Sequence, residues 1–185
     1  MLENIIPFVH SVLGHAIGSG DTVVDGTAGN GHDTVFLARC VGDEGRVLAF
    51  DVQAVALAAT SERLLAHGLD KQVQLIHDGH EHLAAYAPTT IQAALFNFGY
   101  RPGGEKTATT RAETSLIALR TALSLLKSGG MMAAVLYPGH PEGQREAAAI
   151  VDWAATLPQQ QVAVLRYGFI NRVNAPPFAM IIEKY

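Results

Sequence analysis

Residues 21–34 read Asp21-Thr22-Val23-Val24-Asp25-Gly26-Thr27-Ala28-Gly29-Asn30-Gly31-His32-Asp33-Thr34, and the fold is decided here. Asp21–Asp25 is a short apolar run bounded by turn residues, the pattern of a buried strand. Gly26–Gly31 is a loop of small residues. A helix is expected from about Asp33 to Cys40. Upstream, apolar residues at 5, 6, 9, 12, 13, 16 and 17 form a helical stripe interrupted by Pro7, His10 and His15.

The alternation continues downstream. Arg46–Asp51 reads as a second strand and residues 53–67 as a helix ended by Gly68. Val73–Ile76 and Ile91–Phe96 are a third and fourth strand, followed by a long loop over 97–108. Thr110-Arg111-Ala112-Glu113 has the capping-box spacing, opening a helix that Gly129-Gly130 should stop. Met131–Tyr137 is a fifth strand, 142–156 a helix, and Gln161–Tyr167 and Phe178–Glu183 two last strands. Strands alternating with helices predict a seven-stranded, mainly parallel α/β sheet covered on both faces. The last two strands lack a helix between them, so one is expected to be antiparallel at or near the edge.

The 185 residues carry 49% apolar and 16% charged residues, enough for a sizeable core, and predict one domain over 1–185. The net charge of −4 gives no global attraction to nucleic acid or membrane, so such a partner needs a local patch. No run approaches the roughly 20 apolar residues of a membrane helix, and Met1–Asn4 lacks the positive region of a signal peptide. The lone Cys40 excludes an internal disulfide and fits a reducing cytoplasm.

In open α/β sheets, ligands bind beyond the carboxyl ends of the strands, where strand order reverses. The first loop belongs there, and its small residues and helix N-terminus can hold an anion. Glycines at 26, 29 and 31 do not make G-x-G-x-x-G, and no Gly-Lys-Ser/Thr follows. Asp25 at the strand end can accept from an ammonium or from loop N–H groups, and it would repel a pyrophosphate. Asp51 lies 26 positions on, where an acidic residue can bond both ribose hydroxyls; Gln53 can add an amide contact. A ligand with an amino-acid end and a ribose end fits, and S-adenosylmethionine is one. The plain alternative is that both carboxylates merely cap strand ends and helices.

Asp25–Thr34 resembles motif I of class I methyltransferases, and Asp51-Val52-Gln53 their ribose-binding acidic motif. Residues 97–106, Asn-Phe-Gly-Tyr-Arg-Pro-Gly-Gly-Glu-Lys, are similar to the signature of one narrower family. So are Tyr137–Gly143, Tyr167–Asn171 and Pro176-Pro177-Phe178. That family was long labelled "putative rRNA methylase". It is now associated with methylating 5-aminomethyl-2-thiouridine at the tRNA wobble position in many Gram-positive bacteria. The resemblance implies a Rossmann-like methyltransferase fold, S-adenosylmethionine as cofactor and tRNA as cytoplasmic partner. It departs at Gly79 in His77-Asp78-Gly79-His80, where Ser is expected, so position 79 offers the cofactor backbone and no side chain.

Cofactor contacts are thus expected from Asp25, Gly29, Asn30, His32, Asp51, Gln53, Gly79 and His80. Transfer to an amine needs alignment, exclusion of water and an unprotonated nitrogen. Asn97 can orient that amine, Tyr100 can stack on the uridine, and His140 can accept a proton or touch the nucleotide. Each has a structural alternative: a turn-forming Asn, a packing Tyr, a solvated loop His. Arg101, Lys106, Arg111 and Arg172 are candidate RNA phosphate contacts, with Arg145 on the next helix. Thirteen Lys and Arg make a small patch, which a homodimer would enlarge. His77, His80 and His82 have ligand-like spacing, but the expectation is no metal. An rRNA or small-molecule methyltransferase, or a nucleotide-binding oxidoreductase or sensor, are the competing readings.

Overall fold

The computed structural model describes residues 1–99 and 110–185. The elements are α1 (Ile5–Ala16), β1 (Thr22–Asp25), α2 (His32–Val41), β2 (Arg46–Phe50), α3 (Ala54–His67), β3 (Val73–Ile76), a 3-10 helix (His80–Ala85), β4 (Ile91–Asn97), α4 (Ala112–Leu125), β5 (Leu126–Leu136), α5 (Pro141–Ala155), β6 (Val162–Tyr167) and β7 (Phe178–Lys184). They form one sheet in the order β3-β2-β1-β4-β5-β7-β6. The pairings from β3 through β5 are parallel, and β7 runs antiparallel to both β5 and β6.

Successive strand residues point to opposite faces, so each buried strand feeds two cores. Val23, Val47, Ala49, Leu95 and Val135 pack under Val9 and Leu13 of α1, Leu37 and Ala38 of α2 and Leu64 of α3. Val24, Leu48, Phe50, Phe96 and Leu136 pack on the other face with Ala118 and Leu119 of α4 and Ile150 and Trp153 of α5. Burying both faces explains why these strands read as unbroken apolar runs.

Two expectations about α4 change. The helix begins after Arg111, without a side-chain cap, so the capping box does not form. The Thr110 hydroxyl instead donates to Glu146 at 2.9 Å. Nor does Gly129-Gly130 end the helix. It stops at Leu125, and the glycines lie within β5, where Ile91 pairs with Leu126 but Ala93 with Met131. Gly129 takes φ +75°, and a Cβ on Gly130 would sit 2.8 Å from the Lys127 carbonyl, so the glycines serve an irregular strand entry. No helix of the described residues is long and apolar enough to cross a membrane.

Candidate active site

β1 lies between β2 and β4, so the crevice of the sheet opens beyond Asp25, Phe50 and Asn97. The loop after β1 is bound down by backbone. The Gly26 N–H donates to the Leu95 carbonyl and the Ala28 N–H to that of Phe50, each at 2.8 Å. Gly31 precedes α2 with φ +79°, and a Cβ there would lie 2.9 Å from the Thr60 Cα, so only glycine fits. From α3, the Thr60 hydroxyl donates to the Gly29 carbonyl (3.2 Å) and Arg63 Nε to that of Asn30 (2.7 Å).

Asp51 joins two loops. Its Oδ2 accepts the Gly29 N–H at 2.9 Å and its Oδ1 the Gln53 N–H at 2.8 Å. The carboxylate is half-buried and faces the crevice with Asn30 and Gln53, while His32 is exposed at the first turn of α2. Asp25 is different. It is fully buried, accepting from the Thr27 N–H at 3.1 Å and the Thr34 hydroxyl at 2.6 Å. Its placement is behind the loop, where it holds the loop's shape. Burial pushes its pKa up to about 7, helped by the charges of Asp33 and Asp51 and opposed by the two hydrogen bonds. Asp51 at the crevice and Asp33 beside the buried Asp25 make a field that favours cationic ligands.

After β3, Asp78 accepts from the Gly79 N–H, from Tyr86 Oη and at His82 Nδ1, all within 2.8 Å. These bonds hold its pKa down at about 2. His77 Nε2 lies 3.1 Å from the Val52 carbonyl. His80 turns inward, edge-on to Phe98 at 5.5 Å and Phe96 at 6.2 Å. The three histidines take separate partners, and among the described residues no group of three His, Cys, Asp or Glu could hold a metal. Burial lowers the His80 pKa, and its Nε2 is enclosed with no hydrogen-bond partner. An orphaned polar atom beside Asp51 is what a polar nucleoside ligand would satisfy. At Gly79 a Cβ would meet the Glu81 carboxylate, which fills the space of the expected Ser.

Across the crevice, Asn97 ends β4. Its N–H donates to the Thr27 hydroxyl at 2.7 Å and its Nδ2 to Asp33 Oδ2 at 3.3 Å. Asp33 is nearly buried, and its Oδ1 lies 2.7 Å from His10 Nε2 on α1. The His10 ring stacks on Phe36, centroids 3.9 Å apart. Tyr137, one residue past β5, hydrogen-bonds with the Asn97 side chain; burial and the Asp33 charge raise its pKa. His10, Asp33 and Tyr137 as a cluster escaped the sequence reading. The usable signals were a histidine inside an apolar helical stripe and an acidic residue in the first turn after motif I.

Tyr100, Arg101 and Lys106 lie outside the described residues. His140 is the N-cap of α5, and its Nδ1 accepts the Gly143 N–H at 3.1 Å, so that nitrogen serves the helix rather than a substrate proton. Arg111 is exposed at the start of α4. Arg172 donates to Asn4 Oδ1 at 3.1 Å and lies 3.9 Å over the Phe169 ring; Arg166 lies 4.0 Å over Phe178. Both line a concavity of about 550 Å³ with Pro138, Phe169 and Phe178. Because Phe178 pairs with Leu136, this groove stands at the same sheet edge as the crevice. Glu146, buried in α5, accepts from Thr110 and from Ser115 (2.6 Å) and ties the start of α4 down; burial raises its pKa, against those bonds.

A family model described as "Putative rRNA methylase" matches residues 47–183. The chloroplastic tRNA (mnm(5)s(2)U34)-methyltransferase of Arabidopsis thaliana is 33% identical, over 95% of this chain and 68% of that protein. A crystal structure described as a "putative rRNA-methylase" from Clostridium thermocellum superposes with TM-score 0.98 at 39% identity, both chains covered in full. A crystal structure described as a "putative methyltransferase" from Streptococcus mutans, in complex with S-adenosylhomocysteine, gives 0.92 at 37%, again with full coverage of both.

Proposed function

The chain belongs to the "Putative rRNA methylase" family and is an S-adenosylmethionine-dependent methyltransferase, and we propose that its acceptor is the primary amine of 5-aminomethyl-2-thiouridine at the tRNA wobble position. Asp51, Gln53, Asn30, His32 and His80 hold the nucleoside side of the cofactor, and the Gly29 loop its amino-acid side. Asp25 acts from behind that loop. The bound cofactor supplies an electrophilic methyl on a sulfonium; the amine nitrogen forms the new N–C bond as the methyl–sulfur pair returns to sulfur.

The observation that carries the amine is Asp33, a nearly buried carboxylate held between His10 and Asn97 at the edge of the cofactor loop. A negative site attracts an alkylammonium and disfavours a phosphate at the reacting position. Asn97 orients the amine from the end of β4. RNA is held by Arg111, Arg166 and Arg172. No acidic residue occurs between Asp152 and Glu183, so the β6–β7 face is locally basic in a chain of net charge −4. One domain over 1–185, working in the cytoplasm, carries both binding functions.

The test is methyl incorporation into tRNA from cells lacking this enzyme, followed by nucleoside mass spectrometry. Conversion of 5-aminomethyl-2-thiouridine to its N-methyl form is the expected product. Label in rRNA or in a small metabolite, with tRNA unlabelled, would replace the acceptor and leave the cofactor assignment standing.

A further inference from the structure

We propose that His10 and Asp33 are a proton-accepting pair that takes the ammonium proton of the acceptor, an assignment that rests on the amine reading above. An alkylammonium keeps its proton until about pH 10, so at neutral pH almost none of the acceptor is nucleophilic without a base. Asp33 Oδ1 meets His10 Nε2 at 2.7 Å while Oδ2 takes the Asn97 amide. A carboxylate on one ring nitrogen holds the proton there, leaves the lone pair on the other, and stabilises the imidazolium once formed. That other nitrogen, Nδ1, has no protein hydrogen-bond partner among the described residues. Stacking on Phe36 fixes the plane of the ring, and the ring keeps about a quarter of its surface open, as an acceptor of an external proton requires.

The ionisable surroundings suit the role. Around the pair lie Asp25 at the end of β1 and the Tyr137 hydroxyl, one residue past β5 and bonded to Asn97; Arg172 is held at Asn4 before the start of α1. The step balances simply. The R–NH3+ group gives one proton to His10 Nδ1, leaving R–NH2 and an imidazolium–carboxylate pair, and the imidazolium later returns the proton to water. His140 is a weaker candidate because its Nδ1 caps α5.

Two measurements on the full chain decide it. Long-range proton–nitrogen NMR of the protein with S-adenosylhomocysteine should find His10 protonated at Nε2 and bare at Nδ1, and Asp33→Asn should weaken that preference. In single turnovers on tRNA bearing 5-aminomethyl-2-thiouridine, His10→Asn should be about 100-fold slower at pH 7. Its rate should then climb with pH as the amine ionises unaided, with cofactor affinity by calorimetry unchanged. A proton on Nδ1, or a His10→Asn enzyme with the wild-type pH profile, overturns the assignment. A wild-type enzyme inert on that tRNA defeats the acceptor reading instead, and the tautomer still decides the pair.

Discussion

The two sides of the crevice are built differently. The cofactor side, after β1, β2 and β3, is backbone held by neighbouring backbone: Gly26 to Leu95, Ala28 to Phe50, Asp51 to Ile76, with Asp51 bridging Gly29 and Gln53. Its shape needs small residues where a Cβ would collide. The side proposed for the acceptor is a side-chain network drawn from α1, α2, the end of β4 and the residue after β5, in which His10, Asp33, Asn97 and Tyr137 hold one another. The first geometry is fixed before any ligand arrives. The second is a set of ionisable side chains bonded to one another, and it is where the proposal above places the proton transfer.

The contrast breaks most severely at Gly31. Gly31→Ala adds a Cβ to a φ of +79° and drives it into the α3 backbone at Thr60. A loss on the order of 3 kcal/mol is expected, together with cofactor binding, as read by denaturant unfolding and calorimetry. Next comes Asp51→Asn, which keeps the size and removes the charge that joins the two loops. Cofactor affinity should fall about 100-fold with the fold intact, since a charge-assisted bond in a partly enclosed site contributes roughly 2–3 kcal/mol. An unchanged affinity would remove Asp51 from the site.

On the acceptor side, Arg166→Ala with Arg172→Ala should weaken binding of an anticodon stem–loop RNA about tenfold. The slope of log affinity against log salt should drop by roughly 0.7 for each phosphate no longer neutralised, while cofactor affinity stays put. An unaltered slope would mean the groove does not meet RNA.

Asp25 sharpens the comparison through pH. Its folded pKa of about 7 lies above the ordinary carboxyl value, so the stability it contributes is complete below pH 4 and is lost as pH rises towards and through 7. Asp25→Asn should remove that dependence, and the gap between the two melting temperatures should move by about 5 °C between pH 5 and 8. Parallel melting curves would show that Asp25 does not titrate there. Gly79→Ser is the mildest change. Its backbone φ is ordinary and only the flexible Glu81 carboxylate must shift, so stability should stay within about 0.5 kcal/mol.

The loops after β1 and β2 were legible in the sequence because their determinants are local. A glycine at 31, a strand-end acid at 51 and the alternation of apolar runs with helical stripes act within a few residues of where they stand. An antiparallel strand near the edge followed from the missing crossover helix; that it is β7, inserted between β5 and β6, did not. The start and stop of α4 were misjudged because Thr110 and the Gly129-Gly130 pair answer to partners far along the chain, Glu146 and β4.

Chain order and residue type by themselves determined the α/β alternation and the small-residue turn, because those follow from side-chain size, backbone freedom and periodicity. Only the folded chain decided that Asp25 faces inward while Asp51 faces the crevice. Only there do residues 10, 33, 97 and 137 meet around one carboxylate. Burial, charge coupling and hydrogen-bond geometry depend on distances between residues far apart in the chain, and the closing of the sheet sets those distances.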